Sequence, residues 1–460
     1  MAAMGALVSF AQNVIPGRIG GIQDRSFPVR PVLLSTGDPP ELIEFEQWIS
    51  PFYSRIRFER SLLISDCGEG SSWCGREEFG FQEVFKKAAR ISGSSGDAAA
   101  SAWYRYATRN PSLQFNKAVQ PWTGAHLKGA PFQTLAVVNR MDQAQWDAKA
   151  SRWTGVEVRF VYGVIPPESA ITIDGWNLFT IILEFTLEPL DWRHFEKLAG
   201  KWLALSETPR DGFVDKLREA LDDSHLDKSP LVRMRMNRSV GGTRWALSQY
   251  EFTAKKFAPA PLTDQIAMKY RTAAPGTDNY KTYLQLWIPK TPLPAFSMKI
   301  PIDSAMLEES DFTYTTETLE TPRGTCGQFS QPQFASTRNI LALQQCNMCH
   351  TGETDTNFNH ISNRLRKGRA QLSPFLVGNT PKPTIRQLWY GLSDAFFPAN
   401  VHFYAEQSPG VPCPAASTGA DRNFHDLARR ALFLSAVLKS PKQSQENVNI
   451  IQTFSTDFSH

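Results

Sequence analysis

Five consecutive residues, Cys346-Asn347-Met348-Cys349-His350, carry the most specific chemistry in this chain. Two cysteines three positions apart reach neighbouring points on a porphyrin rim from one helical turn, and the histidine that follows directs its imidazole at the iron. This is the attachment pattern of a c-type haem. With six cysteines and eight histidines in 460 residues, composition alone yields the pattern about 0.001 times, so chance is a poor explanation. Two other chemistries compete for the same side chains. Cys346, Cys349, His350 and His360 would make a structural zinc site, although a finger usually separates its ligand pairs by about a dozen residues or more. A redox C-x-x-C beside an incidental histidine would sit in a thioredoxin-like βαβ unit, and the flanking sequence has no such pattern.

In the haem reading, Cys346 and Cys349 hold haem c covalently and His350 is the proximal iron ligand. Methionine is a common sixth ligand, yet no methionine follows Met348. Met298 and Met306 lie upstream, towards the edge of a different domain. His360, ten residues beyond His350 in a loop able to turn back, is the first candidate for the distal position; a hydrogen bond to a propionate or the backbone is its competing role. His402, His425 and His460 follow, while His126, His194 and His225 have no companion ligands by spacing. An open sixth position would permit peroxide chemistry, and a bis-histidine iron would sit at low potential. Arg364, in the cationic run with Arg366, Lys367 and Arg369, is a candidate propionate contact. The same run would also suit an acidic redox partner or a solvated helix face. Glu353 and Asp355 read as solvated rather than as acid/base groups.

The elements around the motif fall into two parts. Helical patterns span Glu41 to Ile64, Phe81 to Ile91, and Asp97, a good cap residue, to about Arg109. Strand patterns follow at Leu135 to Val138, Val156 to Val164 and Leu178 to Leu187. A helix pair, Trp192 to Leu205 and Gly212 to Leu221, precedes further strands at Val232 to Met236, which alternates strictly, and Trp245 to Thr253. That order predicts an α+β fold with a mainly antiparallel sheet. One more strand is expected at Tyr283 to Ile288. Beyond residue 300, helical patterns run from Arg338 into the motif, over Ile361 to Leu372 and Ile385 to Leu392, and over Asp421 to Leu438, the clearest amphipathic helix. The expected organisation is therefore a tail over 1–30, an α+β domain over 31–300, and a mostly helical, cytochrome c-like haem-binding domain over 301–460.

The motif and its surroundings resemble a group of known sequences. The pentapeptide followed by Gly352-Glu353-Thr354, Thr356, Phe358, His360-Ile361, Arg364, Leu372-Ser373-Pro374-Phe375-Leu376 and Gly378 is similar to a pattern in large, uncharacterised secreted proteins of myxobacteria and other proteobacteria. Pro131-Phe132, Leu135 to Asp142, Arg159-Phe160-Val161-Tyr162-Gly163 and Trp245 to Phe252 resemble the same proteins, so the likeness covers roughly residues 120 to 440. It implies an extracytoplasmic protein with one c-type-like motif, and no assigned reaction.

Composition agrees with a folded chain able to bury a large core: 42% of residues are hydrophobic and 12% aromatic. The formal charge of +4 points to neither nucleic acid nor a polybasic membrane surface. No run of about 18 apolar residues is present, so no transmembrane helix is expected. Cys67, Cys74, Cys326 and Cys413 read as two disulfides, Cys67 with Cys74 and Cys326 with Cys413 being one of three pairings the sequence leaves open, or as four thiols in a cytosolic protein. A short apolar run ending Ser9-Phe10-Ala11 reads as the remnant of a secretion signal. Periplasmic or extracellular localisation follows from the disulfide and haem readings. The functional expectation is an electron carrier that meets a redox partner protein, with the first domain for docking or localisation; oligomeric state is not legible. Two alternatives belong to other classes: a pentacoordinate-haem, peroxidase-like enzyme, and an interaction protein whose motif holds zinc or a disulfide.

Overall fold

A computed structural model describes residues 40–57, 79–109, 122–164, 179–287 apart from 227, 242–243, 254–255 and 264, 300–315 apart from 301 and 311, and 426–440. It adds short strands at 16–18, 26–28 and 63–64 and anchored positions at 341, 344–346, 361, 372, 385, 443–444, 447–448 and 451–452. The fold is α+β, and the sheet is antiparallel throughout its described pairings.

Two small hairpins lie apart from the main sheet: β1 (Pro16–Arg18) with β2 (Ser26–Pro28), and β5 (Gln145–Asp147) with β6 (Arg152–Thr154). The main sheet contains β3 (Leu63–Ile64), β4 (Phe132–Arg140), β7 (Glu157–Val164), β8 (Phe179–Thr186), β9 (Leu231–Gly241), β10 (Arg244–Thr253), β11 (Lys256–Pro259) and β12 (Phe312–Thr315). Among the described residues its order is β11-β10-β9-β8-β7-β4-β3, with β12 on the same edge of β10 as β11 but further back along the strand.

Strand register assigns each side chain to a face, because successive residues point to opposite sides. Val137, Phe160, Leu183, Met234 and Tyr250 align across five strands and are all buried. Helices α1 (Pro40–Tyr53), α2 (Phe81–Ile91) and α3 (Gly96–Ala107) precede the strands in sequence. Of these, α2 covers the apolar face: the Phe81 ring meets Phe132 and Tyr162 edge-on at 4.6 and 5.3 Å, and Phe85 approaches Phe252 at 6.1 Å. Burial of ring area on this scale is the main term holding helix to sheet. Tyr162 and Thr134 also donate hydrogen bonds to the Phe79 carbonyl, 3.2 and 2.9 Å, which fixes the entry to α2.

The helix pair is α4 (Trp192–Glu207) and α5 (Arg210–Asp223), then come the short α6 (Met268–Arg271), α7 (Asp278–Trp287) and α8 (Asp426–Lys439). Asp191 caps α4 by accepting from the His194 amide at 2.9 Å. Phe195 stacks on Trp153 at 4.6 Å and meets Phe433 of α8 edge-on at 6.1 Å, tying three elements together. No helix among the described residues is long and apolar enough to cross a membrane.

Several sequence expectations are corrected. The strand expected at Tyr283 to Ile288 is the end of helix α7; Tyr283, Leu286 and Trp287 are its buried positions, a helical i, i+3, i+4 spacing that competes with the local alternation. Ser95, not Asp97, caps α3, accepting from the Ala98 amide at 3.1 Å, while Asp97 accepts from the Leu127 amide at 2.8 Å. The helical pattern expected from Glu41 stops at Tyr53, and Leu63–Ile64 is strand. Ile361 and Leu372, the ends of one expected helical pattern, form an antiparallel bridge, and the residues between them lie outside the described ones. Finally, α8 is not amphipathic: all positions from Asp426 to Val437 are buried. It packs against α1, α4 and the 3-10 turn at Met141–Gln143. Beyond residue 300, β12 joins the main sheet through β10. The tail to residue 15, with its signal-like run, and Cys67, Cys74, Cys326 and Cys413 lie outside the described residues.

Candidate functional site

The residues leading into the motif rest on a small second core. Leu341 is buried there with Ile266, Tyr283, Trp287, Ile300 and Met306. Gln344 pairs with the Ile300 backbone as a strand would: its Nε2 donates to the Ile300 carbonyl at 3.0 Å and its Oε1 accepts from the Ile300 amide at 2.9 Å. Gln345 Nε2 donates to the Leu341 carbonyl at 3.1 Å. This footing delivers Cys346 to a position 3% exposed. Met306 shares the core with Leu341, so it lies nearer the motif than its sequence distance indicated.

Cys346 lies within electrostatic range of Arg235 on the second face of the main sheet, a face that is also buried but carries charge. Register places Arg159, Glu184 and Arg233 in one row across β7, β8 and β9, with Glu157 and Arg140 paired one step along and Arg235 one step the other way. Arg159 donates from Nε and Nη2 to Glu157 Oε2 at 3.0 and 2.7 Å. Arg233 bridges both acids, Nε to Glu184 Oε2 and Nη2 to Glu157 Oε1, each at 2.8 Å. Glu184 Oε1 also lies 3.4 Å from Arg159 Nε and 3.3 Å from Arg235 Nε. Burial pushes the Glu184 carboxyl up, but Arg159, Arg235 and Arg233 outweigh it and hold its pKa at about 2. Burial lowers the Arg235 guanidinium against the pull of Glu184, and the Cys346 thiol is close enough to act on it electrostatically.

A second knot begins where this row ends. Arg140 donates to Asp142 from Nε and Nη2 at 3.0 and 3.3 Å, and Arg429 Nη2 donates to Asp142 Oδ2 at 2.8 Å and to Asp426 Oδ1 at 2.7 Å. Arg430 pairs with Asp426 and stands 3.8 Å from Asp142. All five side chains are essentially buried. Burial raises the Asp142 carboxyl and the three guanidiniums overturn that, holding it far below the usual carboxylate range. Each such ion is stable inside the protein only because its partners replace water. The two knots form a buried charged band running from α8 across the sheet to the neighbourhood of Cys346.

Of the residues singled out in the sequence, Cys346 is the one whose place is described; Cys349, His350, His360, Arg364, Glu353, Asp355, His402, His425 and His460 lie outside the described residues. Among the described residues no group of three or more His, Cys, Asp and Glu is arranged to hold a metal ion. The three early histidines are separate from the motif: His126 Nδ1 lies 3.4 Å from Asp97, His194 Nδ1 lies 2.9 Å from Asp191, and His225 turns the chain at φ 48. Of the motif, the described part is the buried Cys346 thiol, which lies within electrostatic range of the Arg235 guanidinium. Sequence reasoning missed the charged band. Its signal was there: Glu184 interrupts the run Phe179-Thr180-Ile181-Ile182-Leu183, and Arg233 and Arg235 alternate with methionines. Such alternation ordinarily marks a solvated face.

Comparison with protein-family models, with curated proteins and with solved structures gives no match for this chain.

Proposed function

We propose that this chain is an extracytoplasmic, monohaem, c-type cytochrome-like electron-transfer protein, with haem joined to Cys346 and Cys349 and His350 as proximal ligand. The observation that carries the reading is the C-x-x-C-H pentapeptide, and the burial of Cys346 beside an arginine-rich sheet face supports it. Bound haem supplies one-electron redox chemistry. The chain's own residues do the rest. Leu341 and Gln344 fix the start of the motif on the second core, the charged face offers cationic partners for acidic groups, and burial around Cys346 keeps water from the attachment point. The part from 301 to 460 serves in this reading as the mostly helical haem carrier, and the sheet as its platform and as a docking surface for a redox partner.

The deciding experiment is export of the chain through a periplasm with cytochrome c maturation, followed by a pyridine haemochrome spectrum with iron and zinc analysis. A c-type spectrum at one iron per chain, lost in Cys349→Ser, is the expected result. One zinc per chain, or a folded colourless protein, would refute it and move the motif to a structural role.

A further inference from the structure

The helix pair α2 and α3, with the loop that lies along it, concentrates charge that the chain's formal +4 averages away. Residues 79–109 and 122–131 hold six lysines and arginines but two carboxylates. On α2 the apolar stripe of Phe81, Val84, Phe85, Ala88 and Ala89 is buried. Lys86, Lys87 and Arg90 fall within about 100° of arc on the opposite side and are exposed. Gly96 brings the next element to the same corner: a methyl group there would meet Leu127 Cδ1 at 2.6 Å and Lys86 Cα at 3.4 Å, so α2, the start of α3 and the loop close up at this point. Lys128, next in the chain after Leu127, is exposed there too.

The two carboxylates are already committed. Glu83 stands 3.6 Å from Lys86 along α2, and Asp97 accepts from the Leu127 amide at 2.8 Å and lies 3.4 Å from His126 Nδ1. Among the described residues no carboxylate lies within ion-pair distance of Lys87, Arg90 or Lys128. The outer side of α4 and α5 is built differently. There Lys197 and Lys201 share Asp223, Lys216 pairs with Glu219, and Arg218 pairs with Asp215.

The make-up of the corner indicates what it can hold. A protein interface is centred on aromatic or apolar anchors and is poor in lysine. The large apolar side chain exposed among the described residues, Met268, belongs to α6. What the corner offers instead is mostly lysine, a compact charge that needs no matching fork and is drawn to a plane of anionic headgroups. We propose that Lys86, Lys87, Arg90 and Lys128 form a peripheral docking surface for an anionic lipid bilayer, held by charge and without an inserted segment. The inference is independent of the haem reading.

The test is flotation of the full chain with vesicles of phosphatidylcholine alone and of equal parts phosphatidylcholine and phosphatidylglycerol. Wild type should float with the anionic vesicles at low salt, stay behind with the neutral ones, and be released at about 1 M salt, where the screening length is about 3 Å. The triple variant Lys87→Gln, Arg90→Gln, Lys128→Gln should bind the anionic vesicles about 100-fold more weakly, about fivefold for each cation removed. Its three positions are exposed, so its circular dichroism should match wild type; if it misfolds, the three single variants decide, each at about fivefold. The control Lys197→Gln, Lys201→Gln, Lys216→Gln removes the same charge from cations that have acids of their own, and should lose less than about threefold. Wild type that ignores anionic vesicles at low salt, a triple variant that binds as wild type does, or a control that loses as much as the triple variant overturns the proposal. Binding of polyglutamate but not of vesicles, lost in the triple variant, overturns it as well and assigns the corner to an acidic protein.

Discussion

Glu184 offers the sharpest physical test of the charged band. Glu184→Gln keeps shape and volume while removing the charge that Arg159, Arg233 and Arg235 share. After the change Arg159 and Arg233 retain Glu157, but Arg235 loses its carboxylate at 3.3 Å. Removing one partner from a buried ion group costs about 3–5 kcal/mol, because the remaining charges stay away from water. The control has the same distance and a different environment. Arg55 and Glu207 pair at 2.8 Å, as Arg233 and Glu184 do, but with side chains 51% and 44% exposed, so Glu207→Gln should cost below about 1 kcal/mol. Urea unfolding of the three proteins, monitored by tryptophan fluorescence, measures both numbers. Proton linkage gives a second reading of the same group. The folded pKa of Glu184 is about 2 against an ordinary 4.5, a depressed carboxylate. Its contribution, about 3 kcal/mol, is therefore complete above the unfolded value and is lost as pH falls from about 5 towards 2. The variant lacks this component, so the gap between wild type and Glu184→Gln should close across that window. Asp142 and Asp426, also depressed, leave a residual slope in both proteins. A Glu184→Gln cost no larger than that of Glu207→Gln, or a gap unchanged from about pH 5 to pH 2, would refute the argument that burial rather than distance sets the strength of these pairs.

Two further outcomes follow from the same geometry and the motif. A double-mutant cycle on Asp142→Asn and Arg429→Gln should return a coupling of about 1–3 kcal/mol, since Arg429 Nη2 meets Asp142 at 2.8 Å inside the protein; additive costs within about 0.5 kcal/mol would show that α8 is not held through this pair. If His360 is the sixth iron ligand, His360→Ala in the holoprotein should convert a low-spin to a high-spin absorption spectrum, and an unchanged spectrum would remove it from the site.

The motif was legible as a pattern because its spacing is local: two cysteines and a histidine within five residues are recognised with no knowledge of the fold. Strands β7, β8 and β10 were equally plain, since alternating or continuous apolar runs of about eight residues report directly on a pleated, buried surface. The end of α7 was misread because Tyr283 to Trp287 fits both periods, and its choice depended on a core supplied by Ile266, Ile300, Met306 and Leu341. Helix α8 shows the same limit in another form. Its arginines look solvated in sequence, and their burial depends on Asp426 within the helix together with Asp142, distant in the chain.

By itself, then, the sequence determined that Cys346, Cys349 and His350 stand in C-x-x-C-H spacing and that an antiparallel α+β body precedes them. Tertiary structure alone decided that this body has two buried faces, one apolar and one charged, and that Cys346 is set down beside the charged one. The reason is that patterning records the polarity of each residue, whereas burial of a charge depends on where its partner arrives, and Arg233, Arg235 and Asp142 meet partners from other strands and from α8.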